Sequence, residues 1–366
     1  IYADTGAYAS LGGPVLQRAC THAAGPYKYQ TIDVEGFAVY TNNPPAGAFR
    51  GFGVCQTAFA IESNLNLLAE KVGLSPWEIR FKNAVAPGDT LPNGQLVSKN
   101  AALKEALLAV KDVYEQAEVA GISSFFKNSG VGVGLPDTGR CIISVEEGKI
   151  HVRTSAACIG QGMATVTTQI ACETLNLPPE MIVAEAPDTR RTPNSGTTTA
   201  SRQSLFTGEA TRRAAMQLRY ELDMGRALSD LEGEEFYGEY SAKTDPLIND
   251  KKSPVSHAGY GYAAEVAILD DKGKVAKFVA AYDMGQVVNP RAAEGQIEGG
   301  IAMGMGYALT EKFALEEGYV KAKYATLGLV NATQVPPIET ILVHADNLHE
   351  GLAYGIKGVG ELATIP

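Results

Sequence analysis

A glycine-rich segment at residues 46–56 constrains the fold of this chain more than any other stretch. It reads Ala-Gly-Ala-Phe-Arg-Gly-Phe-Gly-Val-Cys-Gln and places Phe49, Arg50 and Phe52 among three glycines. Glycine lets a backbone pass close to a bound group, and the neighbouring N–H groups can then face an anion. A tight turn with a solvated arginine and two core phenylalanines fits the same pattern. The segment alone leaves both interpretations open.

Length and charge limit the class of protein. At 366 residues the chain exceeds the usual size of a single domain, which predicts two domains or one large two-lobed unit. Its net charge of −10 disfavours a nucleic-acid partner and an anionic membrane surface. No apolar run reaches the roughly 18 residues that a membrane-spanning helix needs. We therefore expect neither nucleic acid nor membrane as a partner.

The cysteines indicate what the chain does not encode. They are scattered and form no Cys-x-x-Cys pair, so neither an iron–sulfur cluster nor a structural zinc site is predicted. Their odd number indicates reduced thiols and a cytoplasmic location. The five positions are Cys20, Cys55, Cys141, Cys158 and Cys172.

Hydrophobic periodicity predicts a mixture of helices and strands. Helices are predicted at 54–72, 76–83, 101–119, 163–175, 204–228 and 292–309. Strands are predicted at 37–41, 141–145, 149–154, 181–185, 263–269, 275–282 and 338–344. Residues 121–134 mix glycine, serine and lysine and are predicted to join two lobes, and the acidic segment 231–254 is predicted to be exposed.

Three further stretches are unusual. The helix at 292–309 contains glycines that each cost about 1 kcal/mol relative to alanine, so we expect it to pack closely against something flat. Residues 187–203 are rich in hydroxyls and precede a helix, which suits a phosphate or another oxygen-rich ligand, although a polar surface loop is equally compatible. Glu361 lies on a glycine loop, as either a helix cap or a functional base.

Five short motifs that occur in one order resemble a known family. They are Ala48-Phe49-Arg50-Gly51-Phe52-Gly53, Gly160-Gln161-Gly162, the run from Pro193 to Ser201, Gly295-Gln296-Ile297-Glu298-Gly299 and Gly358-Val359-Gly360-Glu361. Each motif is weak alone. Together they resemble the molybdenum-binding large subunit of the xanthine dehydrogenase and aldehyde oxidase family.

The resemblance implies a cofactor and a set of site residues. It implies molybdopterin with molybdenum, with or without a cytosine dinucleotide extension, held between two α+β lobes. The metal takes sulfur from the pterin, so the resemblance implies no protein ligand to it. Glu361 matches the general base and Arg50 a position near the metal oxo group. The implied pterin contacts are Gln161, Thr198, Ala200, Ser201 and Gln296.

Departures from the family indicate that the chain is a fragment. An earlier Gly-Phe-Gly-Gly type loop and a helical extension after the glutamate are both absent. We expect residues 1–125 to form the later part of a first molybdopterin-binding lobe and 126–366 the second lobe. The resemblance places FAD and iron–sulfur clusters on partner chains or domains, and it implies a dimer of the whole complex.

The substrate is the least determined feature. Arg18 matches the substrate-binding arginine of purine hydroxylases, and Phe52 matches one of two phenylalanines that sandwich the heterocycle. The second phenylalanine is missing from residues 130–136. We expect a purine such as xanthine or hypoxanthine, or a related N-heterocycle, with aldehydes or nicotinate-like acids as the alternative. A non-catalytic scaffold subunit is the alternative from another class, although Glu361 together with Gln161 argues against it.

Overall fold

Helices and strands alternate irregularly along the chain. We describe a computed structural model of the protein at residues 1–344 and 355–366. The α-helices of this part are α1 (Gly12–His22), α2 (Val54–Val72), α3 (Pro76–Asn83), α4 (Leu103–Ala109), α5 (Lys111–Gln116), α6 (Met163–Leu175), α7 (Gln203–Asp223) and α8 (Pro290–Leu309). None of these helices is both long enough and apolar enough to cross a membrane.

Two four-stranded sheets carry the fold. The first has the order β12-β9-β8-β3 and the second β6-β5-β4-β7, while β1-β2 and β10-β11 form separate two-stranded pairs. The strands are β1 (Tyr2–Gly6), β2 (Phe37–Tyr40), β3 (Ala120–Ser129), β4 (Thr138–Glu146), β5 (Lys149–Arg153), β6 (Ile182–Ala184), β7 (Glu235–Ser241), β8 (Gly259–Leu269), β9 (Val275–Asp283), β10 (Leu315–Glu316), β11 (Tyr319–Val320) and β12 (Ile338–Val343). Helices and sheets are thus both present, as the α+β assignment requires.

Local signals fix several helix ends as the sequence predicts. Ser75 Oγ accepts a hydrogen bond from the Glu78 amide at 3.1 Å, and the Glu78 carboxylate accepts one from the Ser75 amide at 2.7 Å. This reciprocal pair is a capping box at the start of α3. Helix α2 ends at Gly73, whose φ of +69° lies in the left-handed region that favours glycine.

Two element predictions are wrong. The predicted link at 121–134 is largely β3, which pairs antiparallel with β8 along its whole length. The single helix predicted at 101–119 is two short helices, α4 and α5. The acidic segment 231–254 is mostly exposed, as predicted, although it also contains the unpredicted strand β7, which pairs with β4. In each case pairing or packing with residues distant in sequence decides the structure, and local composition does not report it.

The glycines of α8 differ in their surroundings. A Cβ at Gly300 would lie 2.4 Å from the Ala363 Cβ, and one at Gly304 would lie 3.0 Å from the Thr364 carbonyl oxygen. Helix α8 therefore packs closely on the segment that follows Glu361, in agreement with the expectation of a close contact. A Cβ at Gly295 would instead enter open space.

Each four-stranded sheet has its own apolar core. Helices α2 and α4 cover the first sheet, and α7 packs on the second with α6 against it. Because β3 belongs to the first sheet and β4 to the second, the chain crosses between the sheets at 130–137. The division into lobes at residue 125 stays a prediction.

A buried ion pair ties the C-terminal glycine loop to this first sheet. Lys357 Nζ lies 2.5 Å from Asp283 Oδ2, and both side chains are fully buried. The Asp283 carboxylate also accepts a hydrogen bond from the Ala102 amide at 2.9 Å. Burial raises the pKa of Asp283, and the Lys357 charge opposes that rise.

We predict that Asp283→Asn is strongly destabilising. The substitution leaves the Lys357 charge buried without its counter-ion, which should lower the free energy of unfolding by about 3–5 kcal/mol. Denaturant unfolding of the full-length protein measures this change. Lys277→Met is the control, because the Lys277–Glu339 pair is half exposed and should contribute only about 0–1 kcal/mol. Equal effects of the two substitutions would contradict the assignment.

Candidate active site

The predicted site residues gather around one large cavity. Its volume is about 690 Å³, within the range that holds a small-molecule cofactor. Of the nine residues predicted from the sequence, the cavity lining contains Arg50, Phe52, Gln161, Thr198, Ala200, Ser201, Gln296 and Glu361. Loops at the ends of α2, α6, α7 and α8 thus converge where the sequence predicts a cofactor. The roles of the individual residues stay predictions.

Glu361 lies at the wall of this cavity on the glycine loop. Its side chain is 14% exposed. Ser201 Oγ donates to Glu361 Oε2 at 3.1 Å and accepts from the Glu361 amide at 3.0 Å. The loop can approach because residue 358 is glycine: a Cβ there would lie 2.2 Å from the Ser201 carbonyl oxygen. Glu361 is therefore held at the cavity by two bonds to one serine, one through its carboxylate and one through its amide.

A second partner of Glu361 was not predicted from the sequence. Lys127 Nζ lies 3.3 Å from Glu361 Oε2, and the lysine side chain is only 1% exposed. The ammonium also donates to Asn128 Oδ1 at 2.7 Å. Burial lowers the pKa of Lys127 to about 8, and the Glu361 charge opposes this shift. Lys127 could have been predicted as a site residue only if the segment that contains it had been interpreted as a strand.

Glu361 neither pairs with the nearby Lys357 nor caps a helix. Lys357 pairs with Asp283 instead. The residue after Glu361 begins a short 3₁₀ helix, Leu362–Thr364, but the Glu361 side chain makes no capping hydrogen bond to it. The carboxylate is therefore directed to Lys127 and Ser201.

Arg50 connects the glycine-rich turn to two other cavity segments. Its Nε donates to the Gly360 carbonyl oxygen, and its Nη2 donates to the Gln296 carbonyl oxygen at 3.1 Å. Burial lowers the pKa of Arg50, with Tyr282 and Glu361 acting in the opposite direction. The guanidinium thus fixes the relative positions of α8 and the Glu361 loop.

Three non-glycine residues of the cavity lining have a strained backbone. Phe52, Ala200 and Ser201 have φ values of +53°, +51° and +48°, in the left-handed region that non-glycine residues seldom adopt. Each such residue costs of order 1–3 kcal/mol, which surrounding contacts must offset. The Ala200 carbonyl oxygen accepts from the Gly130 amide at 2.9 Å, and this bond helps to hold the strained pair in place.

Two of the predicted pterin contacts form bonds within the cavity rim. Gln161 Oε1 accepts from the Ile159 amide at 2.6 Å, and its Nε2 donates to the Ala157 carbonyl oxygen at 3.1 Å. Thr198 Oγ1 donates to the same carbonyl oxygen at 2.9 Å. These bonds order the loop around Gly160, and a Cβ at that glycine would enter open space.

Arg18 is not among the residues that line the cavity. Its guanidinium is buried, donates to the Val131 carbonyl oxygen at 2.7 Å and contacts the ring of His257. Burial lowers its pKa, and Glu361 is the largest charge acting in the opposite direction. Among the described residues no carboxylate lies within ion-pair distance of Arg18. Arg18 thus carries a buried positive charge with no carboxylate beside it among the described residues.

One group of potential metal ligands lies elsewhere, on the second sheet. Glu146, His151 and Glu185 could each offer a ligand atom within 4.8 Å of the others. Arg153 and Arg191 already contact both carboxylates. We interpret this group as an ion-pair network, because the guanidinium groups occupy the oxygens that a cation would need.

Family models match most of the chain. Two models, each described as a molybdopterin cofactor-binding domain, match residues 1–84 and residues 97–235 and 225–336. A probable xanthine dehydrogenase subunit of Bacillus subtilis is 33% identical over 100% of the chain and 55% of its own length. Aldehyde oxidoreductase of Megalodesulfovibrio gigas is 30% identical over 98% of the chain and 42% of its own length.

Solved structures agree with these matches. The aldehyde oxidoreductase from Desulfovibrio gigas superimposes with a TM-score of 0.86 and 29% identity, covering 100% of this chain and 43% of that one. The Cu,Mo-CO dehydrogenase, at 22% identity, has a TM-score of 0.83 and shows the same fold. The chain spans about half the length of the curated relatives it matches. It belongs to the molybdopterin-binding family of xanthine dehydrogenases and aldehyde oxidoreductases.

Proposed function

We propose that this chain forms the molybdopterin site of an enzyme that hydroxylates a purine, such as xanthine or hypoxanthine, or a related N-heterocycle. The observation that carries the proposal is the Glu361 carboxylate, held by Ser201 at the wall of a cavity large enough for the cofactor. Molybdopterin with molybdenum, when bound, supplies the water-derived oxygen and accepts the electrons of the substrate. The chain supplies binding, orientation and a proton acceptor.

The cavity suits this cofactor chemically. Molybdopterin carries a phosphate and a pterin ring with several hydrogen-bonding groups, and the lining offers backbone N–H groups, hydroxyls and amides. Thr198, Ser201 and Gln296, which line the cavity, contact the pterin in this proposal, and Arg50 provides a positive charge. The strained pair Ala200 and Ser201 brings the backbone itself to the cavity surface.

Glu361 acts as the general base in this proposal. Hydroxylation requires that the attacking oxygen lose its proton, and a carboxylate within hydrogen-bond reach can accept it. The contacts of the carboxylate within the described part of the chain all go to Oε2. Oε1 is therefore the oxygen that takes the proton.

Arg18, although it does not line the cavity, stabilises negative charge on the substrate through the electric field of its buried guanidinium. Attack of oxygen on a purine ring places negative charge on its nitrogens and oxygens, and a buried guanidinium stabilises that charge effectively. Phe52 contributes an aromatic face at the cavity. Sequence similarity also supports the alternative: a nicotinate dehydrogenase large subunit of Eubacterium barkeri is 42% identical over 33% of the chain. An acid substrate would likewise use a buried cation.

Electron transfer requires partners in this proposal. The cysteines are free thiols with no cluster-binding spacing, so electrons leaving the molybdenum need other carriers. We propose iron–sulfur and FAD subunits or domains, in a complex that dimerises in the cytoplasm.

We predict that Glu361→Gln lowers kcat by about 10²–10⁴ while molybdenum content stays normal, because the amide keeps the shape but cannot accept the proton. Steady-state kinetics and metal analysis of the sulfurated full-length enzyme measure both quantities. Glu70→Gln is the control, since Glu70 is exposed on α2. Wild-type kcat in the Glu361 variant from about pH 6 to about pH 9 would show that another group is the base.

We predict that Arg18→Met lowers kcat/KM for purines by about 10², as when a charge-stabilising donor is lost. Methionine retains much of the buried volume, so the fold should persist. Parallel assays with xanthine and with a small uncharged aldehyde separate the substrate classes, because only the purine reaction builds ring charge. An unchanged rate with purines, or a wild-type preference for simple aldehydes, would contradict the purine assignment.

We predict that the native protein purifies with an iron–sulfur partner. Affinity purification from the source organism, followed by iron and flavin analysis, tests this. Recovery of full turnover from a preparation that contains this chain alone, without iron or flavin, would contradict the prediction.

A further inference from the structure

We infer that Lys127 is a positioning residue for Glu361: the buried ammonium holds Oε2 and thereby directs Oε1 towards the cavity. The inference rests on the proposed function, because it assigns a task to Lys127 only if Glu361 is the base. It goes beyond that function by adding a residue that lines no part of the cavity and belongs to none of the five sequence motifs.

The geometry of the pair supports this role. Lys127 Nζ and Ser201 Oγ both bond to the same carboxylate oxygen, at 3.3 and 3.1 Å. Two donors from different segments, β3 and the start of α7, define the carboxylate plane more strictly than one donor does. Ser201 alone would allow the carboxylate to rotate about its terminal torsion, which has a broad energy profile.

Lys127 is itself held rigidly. It lies near the end of β3, where Phe126 pairs with Tyr262 and Lys127 pairs with Gly261 of β8. Its ammonium donates to Asn128 Oδ1, and the Asn128 amide donates to the Gly130 carbonyl oxygen at 2.7 Å. A sheet strand positions a functional group more precisely than a free loop does.

Burying an ammonium costs free energy, and a contribution to stability alone does not explain why a lysine occupies position 127. Replacement of a buried ion pair by apolar residues is often neutral or stabilising, so stability gives little reason to keep a lysine here. The partner is, in addition, the partly exposed carboxylate at the cavity wall rather than a buried acid. The charge is therefore placed where it acts on Glu361.

The surroundings make the charge of Lys127 sensitive to pH. Burial lowers its pKa to about 8, with Glu361 and Cys55 opposing the shift and Arg18 reinforcing it. Burial also holds the pKa values of His22 and His257 well below their usual range, so both rings are neutral near pH 7. Lys127 is charged below about pH 8 and loses its charge above it, so the hold on Glu361 weakens as the pH rises through that value.

The test compares Lys127→Met with Lys127→Arg in the sulfurated full-length enzyme. Losing one charge-assisted hydrogen bond should lower kcat by about 10–100-fold in the methionine variant, with KM changed less than about twofold because Lys127 does not line the cavity. Arginine keeps the charge, so it should restore most of kcat and remove the decline of kcat above about pH 8. Lys277→Met, on the surface of β9, is the control for loss of a lysine charge.

A double-mutant cycle separates positioning from a structural role. In the Glu361→Gln background no charge remains to be held, so Lys127→Met should change the residual kcat less than about twofold. A merely structural lysine would lower kcat by the same factor in both backgrounds, and that result would overturn the inference. Retention of wild-type kcat by Lys127→Met would overturn it as well.

Crystal structures provide a readout that does not depend on turnover. The wild-type holoenzyme should show Lys127 Nζ at ion-pair distance from Glu361 Oε2, and Lys127→Met should show the carboxylate rotated or in two orientations. A wild-type carboxylate that does not contact Lys127 would overturn the inference even if the methionine variant failed to fold. Wild-type kcat in Glu361→Gln would instead overturn the proposed function, so the two failures are distinguishable.

Discussion

The close approach of Gly358 to Ser201 is the contact on which the candidate site depends. A side chain at residue 358 would collide with the Ser201 carbonyl oxygen and separate the Glu361 loop from the strained pair at 200–201. The Gly358 amide donates to Ser129 Oγ at 2.6 Å, at the end of β3. Three distant parts of the chain are thereby fixed together: β3, the segment before α7 and the Glu361 loop. The strain at residues 200–201 is maintained by these bonds.

The sequence predicts local structure well where local signals decide it. The bounds of α2, α3 and α6 agree with the structure because glycine, proline or a capping box marks their ends. Strand β3 escapes prediction for a physical reason: serine, lysine and asparagine among its residues are typical of an exposed link. Most of those polar groups are nevertheless buried. Ser124, Lys127 and Ser129 contact Tyr27, Glu361 and Gly358, which are all distant in sequence.

In the candidate site, too, local motifs reveal some residues and distant contacts determine the others. Glycine and hydroxyl motifs are local, and eight of the nine predicted residues line one cavity. The family assignment is confirmed by the matching models and by relatives along the whole chain. Lys127 lies in no motif. In the sequence it is only a lysine that follows two phenylalanines and precedes an asparagine, a pattern that indicates no function. Its importance depends on a contact with a residue near the other end of the chain, which no local pattern contains.

The charges around Glu361 bear on its proposed role as a base. Arg18, Arg50 and Lys127 are all cations whose pKa burial lowers, and Glu361 opposes that shift in each of them. One carboxylate thus compensates part of the charge of two buried cations and one partly buried cation. When it accepts a proton this compensation is lost, but the group that gave up the proton becomes more negative by the same amount. The three cations then stabilise the negative charge on that group. Proton transfer therefore moves one negative charge among the same cations, and the total charge of the site does not change.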